Sequence, residues 1–396
     1  MFLTNEHSFF LLVFILSFVA QQGYYLYFYL PFIFSAKSNT VNNKISLLND
    51  SVFSPKISVL ICARNESENL QKYLKFVLNQ SYNNFEVIVV NDRSNDDTQM
   101  VLEEYKKQTS FIICNENIEK NENLSKLKLL NIFPNETNAD GKKYAFEKGI
   151  ELCDSDWILT TDADCFVGKN WISTYLKYIS TDVAMVAGYA PFFRNRNTFV
   201  ENLSCYENMF NSLFYMSLIN KGIPYMAVGR NMMFNKIIYQ NNKQKIKGKH
   251  IQSGDDDLFA NAISKSYRFA VNTDKDSFVY SESKSTFGDW WRQRKRHLSA
   301  SVYYHWTHIF IISSEFFSRI FLIGSFFVYL LHTKEVFICS IVLIFRMITQ
   351  LVCFILVEKL FNEKKIKLKN LYDILLPFLY GALHFSNFFF KKQRWK

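Results

Sequence analysis

Two hydrophobic patterns divide the chain. From Lys56 onward, short apolar runs alternate with amphipathic stretches. Ile57–Cys62 reads as a buried strand, Glu66–Asn79 as a helix, Phe85–Val90 as a second strand, Asp97–Lys107 as a helix and Phe111–Cys114 as a third strand. Gly141–Leu152 then reads as a helix, and Trp157–Thr161 and Asp182–Tyr189 as further strands. Strands separated by helices of about ten to fifteen residues imply β-α-β units and a mostly parallel sheet, an α/β fold. Right-handed crossovers bring the carboxyl ends of such strands, and the loops beyond them, to one edge.

The second pattern is apolar over long stretches. Phe9–Phe34 is interrupted mainly by Gln21, Gln22 and Gly23, and three more runs follow Trp306: Ile309–Leu331, Val336–Val357 and Leu371–Phe390. About 20 mostly apolar residues match the thickness of a bilayer core. The first run lacks a clear small-residue cleavage site and is too long for the apolar region of a signal peptide, so it reads as a retained anchor. Glu315, Arg319, Arg346 and Gln350 keep a second reading open, that of buried core helices. They do not exclude spanning, because polar groups in a membrane face a bundle interior or a cavity.

Basic flanks set the orientation. Only Glu6 and His7 precede the first run, Lys37 and Lys44 follow it, and Glu358–Asn370 carries five lysines. The central domain is therefore expected on the cytosolic side of an inner or plasma membrane. The tail Lys391-Lys392-Gln393-Arg394-Trp395-Lys396 would end outside if all three later runs crossed, so one of them is expected to lie in the interface. The expected organisation is an anchor and linker over 1–54, a catalytic domain over 55–305 with an interfacial helix near 286–305, and membrane or interfacial helices over 306–396.

Composition removes several function classes. A net charge of +10 suits an anionic leaflet, and no nucleic-acid-binding motif accompanies it. The seven cysteines have no C-x-x-C spacing, which points to reduced thiols and no zinc site. No G-x-G-x-x-G follows the first strand, which argues against a dinucleotide site.

The chemistry sits at the strand ends. Trp157–Thr161 runs into Asp162-Ala163-Asp164, two carboxylates where open α/β sheets keep their ligand crevice. Carboxylates that close repel unless a cation lies between them, and a hard ion such as Mg²⁺ or Mn²⁺ suits oxygen ligands. The second strand ends in Asn91-Asp92-Arg93-Ser94-Asn95-Asp96-Asp97-Thr98. Helix capping accounts for Asn95 and Asp96 and leaves Asp92 to be explained. Ser253-Gly254-Asp255-Asp256-Asp257 opens a helix with three acids, where favourable interaction with the helix dipole would need only one. Trp290-Trp291-Arg292-Gln293-Arg294-Lys295-Arg296-His297 is aromatic and basic, which suits an interfacial helix on lipid phosphate as well as an anion-binding segment.

Taken in order, ISVLICARNESENL, VIVVNDRSNDDT, GKKYAFEKG, TTDAD, GRNMMF, SGDDDLF and QRKRH resemble glycosyltransferase family 2, over about residues 55–301. The flanking apolar runs resemble its membrane-bound polysaccharide-synthase-like branch. The resemblance implies a GT-A fold and a nucleotide-sugar donor, a UDP-sugar. It places Ala63, Arg64 and Glu66 around the nucleotide, Asp92 at the uracil, Lys142 near the phosphates, Asp162 on the nucleotide and Asp164 on a divalent cation. Gly229, Arg230 and Asn231 would form the loop under donor sugar and acceptor, with Asp256 as catalytic base. Gln293, Arg296 and His297 stand where many membrane synthases have Q-x-x-R-W, so the closing indole is an imidazole here.

An inverting transfer needs one carboxylate to take the acceptor proton and cationic groups to stabilise the leaving diphosphate. Asp256 suits the first task, Asp164 with its cation and Arg296 the second, and Arg292–His297 is expected to close as a lid that excludes water. The expected function is hexosyl or N-acetylhexosaminyl transfer to a saccharide or lipid-linked acceptor in cell-surface polysaccharide or glycolipid synthesis. Specificity is expected around Tyr189, Met226 and Met232. The rivals are an inactive scaffold or component of an export assembly, and a transporter. A channel would need a second copy or an export partner, given the small number of spans.

Overall fold

The computed structural model describes residues 2–37, 54–112, 127–133, 141–248, 251, 254–332 and 336–389. By packing they form two units. One holds residues 54–193 and 222–283, and the other holds 2–37, 194–221 and 284–389. Residues 194–221 and the segment after 284 thus pack with the terminal helices, whereas the expected division kept both in the catalytic domain.

The first unit is built on a seven-stranded sheet. Its strands are β1 (Ile57–Ala63), β2 (Phe85–Asp92), β3 (Leu127–Ile132), β4 (Trp157–Asp162), β6 (Val183–Gly188), β7 (Met232–Asn235) and β8 (Arg268–Asn272), in the order β3-β2-β1-β4-β7-β6-β8. A small second sheet pairs β5 (Phe166–Val167) with β9 (Val279–Tyr280). Only β7 in the large sheet runs against its neighbours, so the expected mostly parallel α/β architecture holds. Strands β1 and β2 read as continuous apolar runs because both faces are covered, and α1 (Ser67–Leu78) turns Leu70, Tyr73, Leu74, Val77 and Leu78 inward at helical spacing.

The expected third strand was misplaced. Phe111 and Ile112 close α2 (Thr98–Ile112), and Ile113 and Cys114 lie outside the described residues. A four-residue apolar run cannot be told from the end of a helix by period alone. The true β3 was hidden by Lys128 and Asn131. It is an edge strand, and Lys128 Nζ turns back to Asp154 Oδ2 at 2.6 Å and Glu86 Oε2 at 2.9 Å.

Strand β1 pairs with β2 on one side and β4 on the other, with Ala63 opposite Asn91 and Cys62 opposite Asp162. The chain leaves β1 in opposite directions to reach these two neighbours, which makes the crevice beyond their carboxyl ends the topological switch point. Helix α3 (Lys142–Leu152) covers β1 and β2 through Gly149. A Cβ there would lie 2.4 Å from Leu60 Cδ1 and 3.0 Å from Val90 Cγ2, so the second glycine of GKKYAFEKG is a packing requirement.

The second unit is helical. The N-terminal helix (Phe2–Gly23) passes through a π-helical stretch, Tyr24–Tyr29, and continues to Lys37. Ser8–Lys37, Trp306–Leu331 and Phe337–Leu360 are long and apolar enough to cross a membrane. Only 28–33% of their apolar windows is buried, and Phe310, Phe321, Phe327, Ile341, Phe345 and Ile348 face outward.

The polar side chains face in. Arg319 Nε donates to Glu315 Oε1 at 2.7 Å and Arg319 Nη1 to Asp373 Oδ1 at 3.2 Å, while Arg346 reaches Asp373 Oδ2 through Nη1 and Gln21 Oε1 through Nη2. Two arginines and two acids thus neutralise each other inside an apolar exterior. This arrangement favours the membrane reading over buried core helices, which would be covered on every side.

The remaining long helix, Lys369–Phe389, is not among the three candidate spans. Lys369 Nζ is 2.7 Å from Glu358 Oε2, and near its other end Ser386 Oγ accepts from Lys295 Nζ at 3.0 Å. The first attachment falls at the end of the Phe337–Leu360 span, and the second is to helix Phe287–Leu298, which precedes the Trp306–Leu331 span.

Gly149→Ala should destabilise the sheet unit by about 1–3 kcal/mol through overpacking. Thermal unfolding of the purified chain checks this. An unchanged midpoint would mean that α3 moves off the sheet at no cost.

Candidate functional site

The loops after β1 and β2 are tied together. Ser94 Oγ accepts from Asn65 N at 2.9 Å, Asn65 Oδ1 accepts from Asn95 N at 2.7 Å, and Thr98 Oγ1 accepts from Glu66 N at 2.9 Å. Asn65 adopts φ 56°, a left-handed conformation that asparagine tolerates. Asp96 accepts from Ser67 N and Thr98 N, at the starts of α1 and α2. Burial opposes its charge, but the donors from Thr98 and Ser67 outweigh that and hold its carboxyl below the ordinary range. Asp96 is therefore a cap, as the sequence suggested.

Asp92 is a different kind of acid. It is fully buried, and its Oδ1 accepts from Arg93 Nε at 2.7 Å. Its Oδ2 is buried with no hydrogen-bond donor among the described residues. Such an oxygen costs free energy unless a donor reaches it, so it marks a place for an N–H. Ala63, expected at the nucleotide, buries its methyl in the core, which leaves only its main chain for a ligand. Glu66 Oε2 accepts from Asn69 Nδ2 at 2.5 Å, and Arg64 is half-buried beside it in the chain.

At the end of β4, oxygens of Asp162 and Asp164 and the sulfur of Cys165 lie within 4.8 Å of one another. The thiol is fully buried, donates toward Asp164 Oδ1 at 3.4 Å, and is pushed well above its ordinary pKa by burial. A protonated thiol is a poor ligand for a hard cation, so of these three groups the two partly exposed carboxylates are the ones that could hold a metal ion. They fit a divalent ion of the Mg²⁺ or Mn²⁺ type. Lys142 Nζ donates to Asp162 Oδ1 at 2.6 Å. Burial would lower the pKa of this lysine, but the adjacent Asp162 carboxylate outweighs it and holds the ammonium above the usual lysine value.

Lys143, which sequence reasoning passed over, mirrors its neighbour. Its Nζ donates to Gly248 O at 2.8 Å and lies 3.8 Å from Asp255 Oδ1. Burial lowers its pKa, and burial also pushes Asp255 up to about 7. Asp255 and Asp256 open α4 (Asp255–Ile263), where Gly254 adopts φ 84°. Asp256 Oδ2 accepts from Gly229 N at 2.5 Å and Oδ1 from Asp257 N at 2.9 Å. Burial raises the Asp256 pKa against the pull of those donors and of Lys142.

The 229–231 turn is held on β4 by Thr160, whose Oγ1 donates to Gly229 O at 2.5 Å. A Cβ on Gly229 would sit 2.7 Å from Asp256 Oδ2. Arg230 Nη2 donates to Ala190 O at 2.5 Å, and its guanidinium lies 4.7 Å from the centre of the Phe192 ring. Asn231 occupies a different place from the one expected. It is fully buried, its Oδ1 accepts from Trp171 Nε1 and Tyr175 OH, and its Nδ2 donates to Tyr189 O and Ser277 O. With every polar atom engaged it braces the turn and does not face substrate. Tyr189 and Met232 are likewise buried and cannot line a specificity pocket; Met226 is half-exposed.

Gln293, Arg296 and His297 lie in the helical unit, on Phe287–Leu298. This helix is anchored by Glu207, a fully buried acid on Phe199–Asn220 that the sequence did not single out. Glu207 Oε2 accepts from Trp290 Nε1 at 2.9 Å and Arg294 Nε at 2.6 Å, and its Oε1 accepts from Tyr380 OH at 2.6 Å. Trp290 is thus buried against a carboxylate, where an interfacial aromatic anchor was one expectation. Gln293 and Arg296 stand one helical turn apart, and His297 is exposed.

Comparison with known proteins agrees with this architecture. Residues 58–241 match the model described as Glycosyl transferase family 2, and residues 157–362 match that described as Glycosyl transferase family group 2. The chain is 30% identical over 159 residues to glycosyltransferase AglE of Haloferax volcanii, covering 39% of this chain and 46% of that protein. It is 25% identical over 136 residues to the poly-beta-1,6-N-acetyl-D-glucosamine synthase of Staphylococcus epidermidis, covering 34% and 28% respectively. The chain thus spans less than half the length of these curated relatives. Among solved structures, the mannosyltransferase PcManGT from Pyrobaculum calidifontis, in complex with GDP-Man and Mn²⁺, is similar with a TM-score of 0.58 at 14% identity, over 95% of this chain and 99% of that one. That likeness is one of fold. With the second model covering just over half of the residues, the chain belongs to glycosyltransferase family 2.

Proposed function

We propose that this chain is an inverting glycosyltransferase that moves a hexosyl or N-acetylhexosaminyl group from a nucleotide-diphosphate sugar, a UDP-sugar, to a saccharide or lipid-linked acceptor at a membrane surface. The observation that carries the reading is the division of labour among the acids of the sheet unit. Asp92 keeps a buried acceptor oxygen, Asp162 and Asp164 form an oxygen pair, and Asp256 is poised on the Gly229 amide.

Each group then has a task. Asp92 Oδ2 accepts the N–H edge of the base. Asp164, with Asp162, would hold a divalent cation, which supplies charge neutralisation for the departing diphosphate when bound. Lys142 adds a second positive charge near that leaving group. Asp256 takes the proton from the acceptor hydroxyl as its oxygen bonds to the anomeric carbon and the bond from that carbon to the diphosphate oxygen breaks. A carboxylate whose pKa is raised by burial is a stronger base than one in water. Gln293, Arg296 and His297 are assigned to the acceptor or diphosphate side as a basic helix held in place by Glu207. The chain is placed in the inner or plasma membrane with the catalytic unit in the cytosol, on the side of the lysine-rich loop after Leu360.

Asp256→Asn should abolish transfer while leaving donor binding nearly intact; near-normal turnover in that variant would sink the assignment. Gly229→Ala should lower kcat by at least about tenfold, because the added methyl displaces the carboxylate it would touch, and a small loss of order unity in ΔΔG‡ already gives that factor. Because only the ionised base works and its folded pKa is raised, kcat/KM should fall as the pH drops, with an acidic limb above about 4, where an ordinary aspartate titrates. Lys142→Met should tighten Mn²⁺ binding to the nucleotide-free chain by roughly tenfold, since the ammonium that neutralises Asp162 is gone. Electron paramagnetic resonance of free Mn²⁺ reads this directly, and weaker binding in the variant would place the cation elsewhere.

A further inference from the structure

The connection between the Phe337–Leu360 span and helix Lys369–Phe389 exposes Lys359, Lys364, Lys365 and Lys367. It is a built loop. Glu358 Oε1 accepts from Ile366 N at 3.0 Å, Glu358 Oε2 binds Lys369 Nζ at 2.7 Å, and Ile366 is buried. Arg194 Nη1 donates to the carbonyls of Lys364 at 2.5 Å and Lys365 at 3.2 Å. With the backbone fixed from beneath, the four lysines stay exposed, Lys364 with its Nζ donating to Arg194 O at 3.2 Å. Leu368, at φ 55° and 67% exposed, stands among them.

The next helix continues this apolar edge. Leu371, Phe378 and Phe385 are exposed and seven residues apart, which puts them on one stripe. Tyr372, Asp373, Leu376 and Leu383 are buried on the other side. The ends of this helix are held by Glu358, at the close of one candidate span, and by Lys295, shortly before the start of another at Trp306. Those two spans are joined by a connection far too short to cross a bilayer core of about 30 Å, so their outer ends at Leu360 and Trp306 share one face.

We propose that the 359–368 loop, with the exposed stripe of helix Lys369–Phe389, is a docking surface for anionic phospholipid head groups, with the helix lying along the leaflet. The lysines begin in the last turn of a candidate span, which sets them at head-group level. Leu368, Leu371, Phe378 and Phe385 then enter the acyl boundary beside them, a contact that a soluble phosphate could not use. The inference rests on the membrane reading of the spans and is independent of donor and acceptor.

The test uses the full chain in nanodiscs of phosphatidylcholine containing a minor fraction of phosphatidylglycerol, with spin-labelled lipid reporting association. The wild type should prefer phosphatidylglycerol, and the combined variant Lys364→Gln, Lys365→Gln, Lys367→Gln should lose that preference by at least about tenfold. A control variant with the same charge change in the sheet unit, Lys243→Gln, Lys245→Gln, Lys247→Gln, should keep it. Inorganic phosphate at millimolar concentration should not displace the lipid. Retained preference in the loop variant, equal loss in the control, or displacement by phosphate would each overturn the proposal. If the loop variant fails to assemble, salt titration of the wild type decides: preference that survives 0.5 M NaCl (roughly a 4 Å screening length) overturns it as well.

Discussion

Repulsion between carboxylates is the constraint on which the sheet unit depends. Asp162, Asp164, Asp255 and Asp256 all stand at the starts or ends of elements, where the backbone can deliver a side chain to solvent but cannot separate it far from its neighbours. The fold meets this with two consecutive lysines at the start of α3. Lys142 turns to Asp162 and Lys143 to Asp255, so one short segment reaches both the strand-end acids and the helix-start acids. The opposite directions in which their pKa values move follow from this geometry. Lys142 touches its acid and gains, while Lys143 stays 3.8 Å away and loses to burial.

The same logic recurs in the helical unit, in a medium where it costs more. Isolated ions in an apolar interior carry a desolvation penalty of several kcal/mol each. Glu315, Arg319, Arg346 and Asp373 come from three helices and cancel in total charge, with Gln21 and Tyr206 adding contacts from two more. Breaking such a set leaves an uncompensated charge, so it specifies one arrangement of five helices more sharply than apolar packing alone would.

Much of this was legible from period and position. The buried strands and the helices between them announced themselves because both faces of a parallel sheet are apolar, and Asp92 stood out because capping could not account for it. What escaped was long-range. Asn231 lies in a Gly-Arg-Asn turn that resembles a substrate loop, yet four partners distant in sequence saturate it. Glu207 sits inside a helix with no local oddity, and its three donors lie more than eighty residues away. The strand β3 was missed because an edge strand tolerates polar residues and so lacks the unbroken apolar run that marks its neighbours.

The π-helical stretch at Tyr24–Tyr29 carries one further consequence. In an α-helix, residues four apart advance about 40° beyond a full turn, so a line of such positions spirals around the axis. Gln21, Tyr25 and Tyr29 are four apart and all fully buried. The wider turn of the i→i+5 pattern takes up that excess rotation and keeps the three side chains on one straight inner edge. The first helix therefore presents a rail rather than a screw thread to its neighbours from Gln21 to Tyr29, through a local change of pitch six residues long.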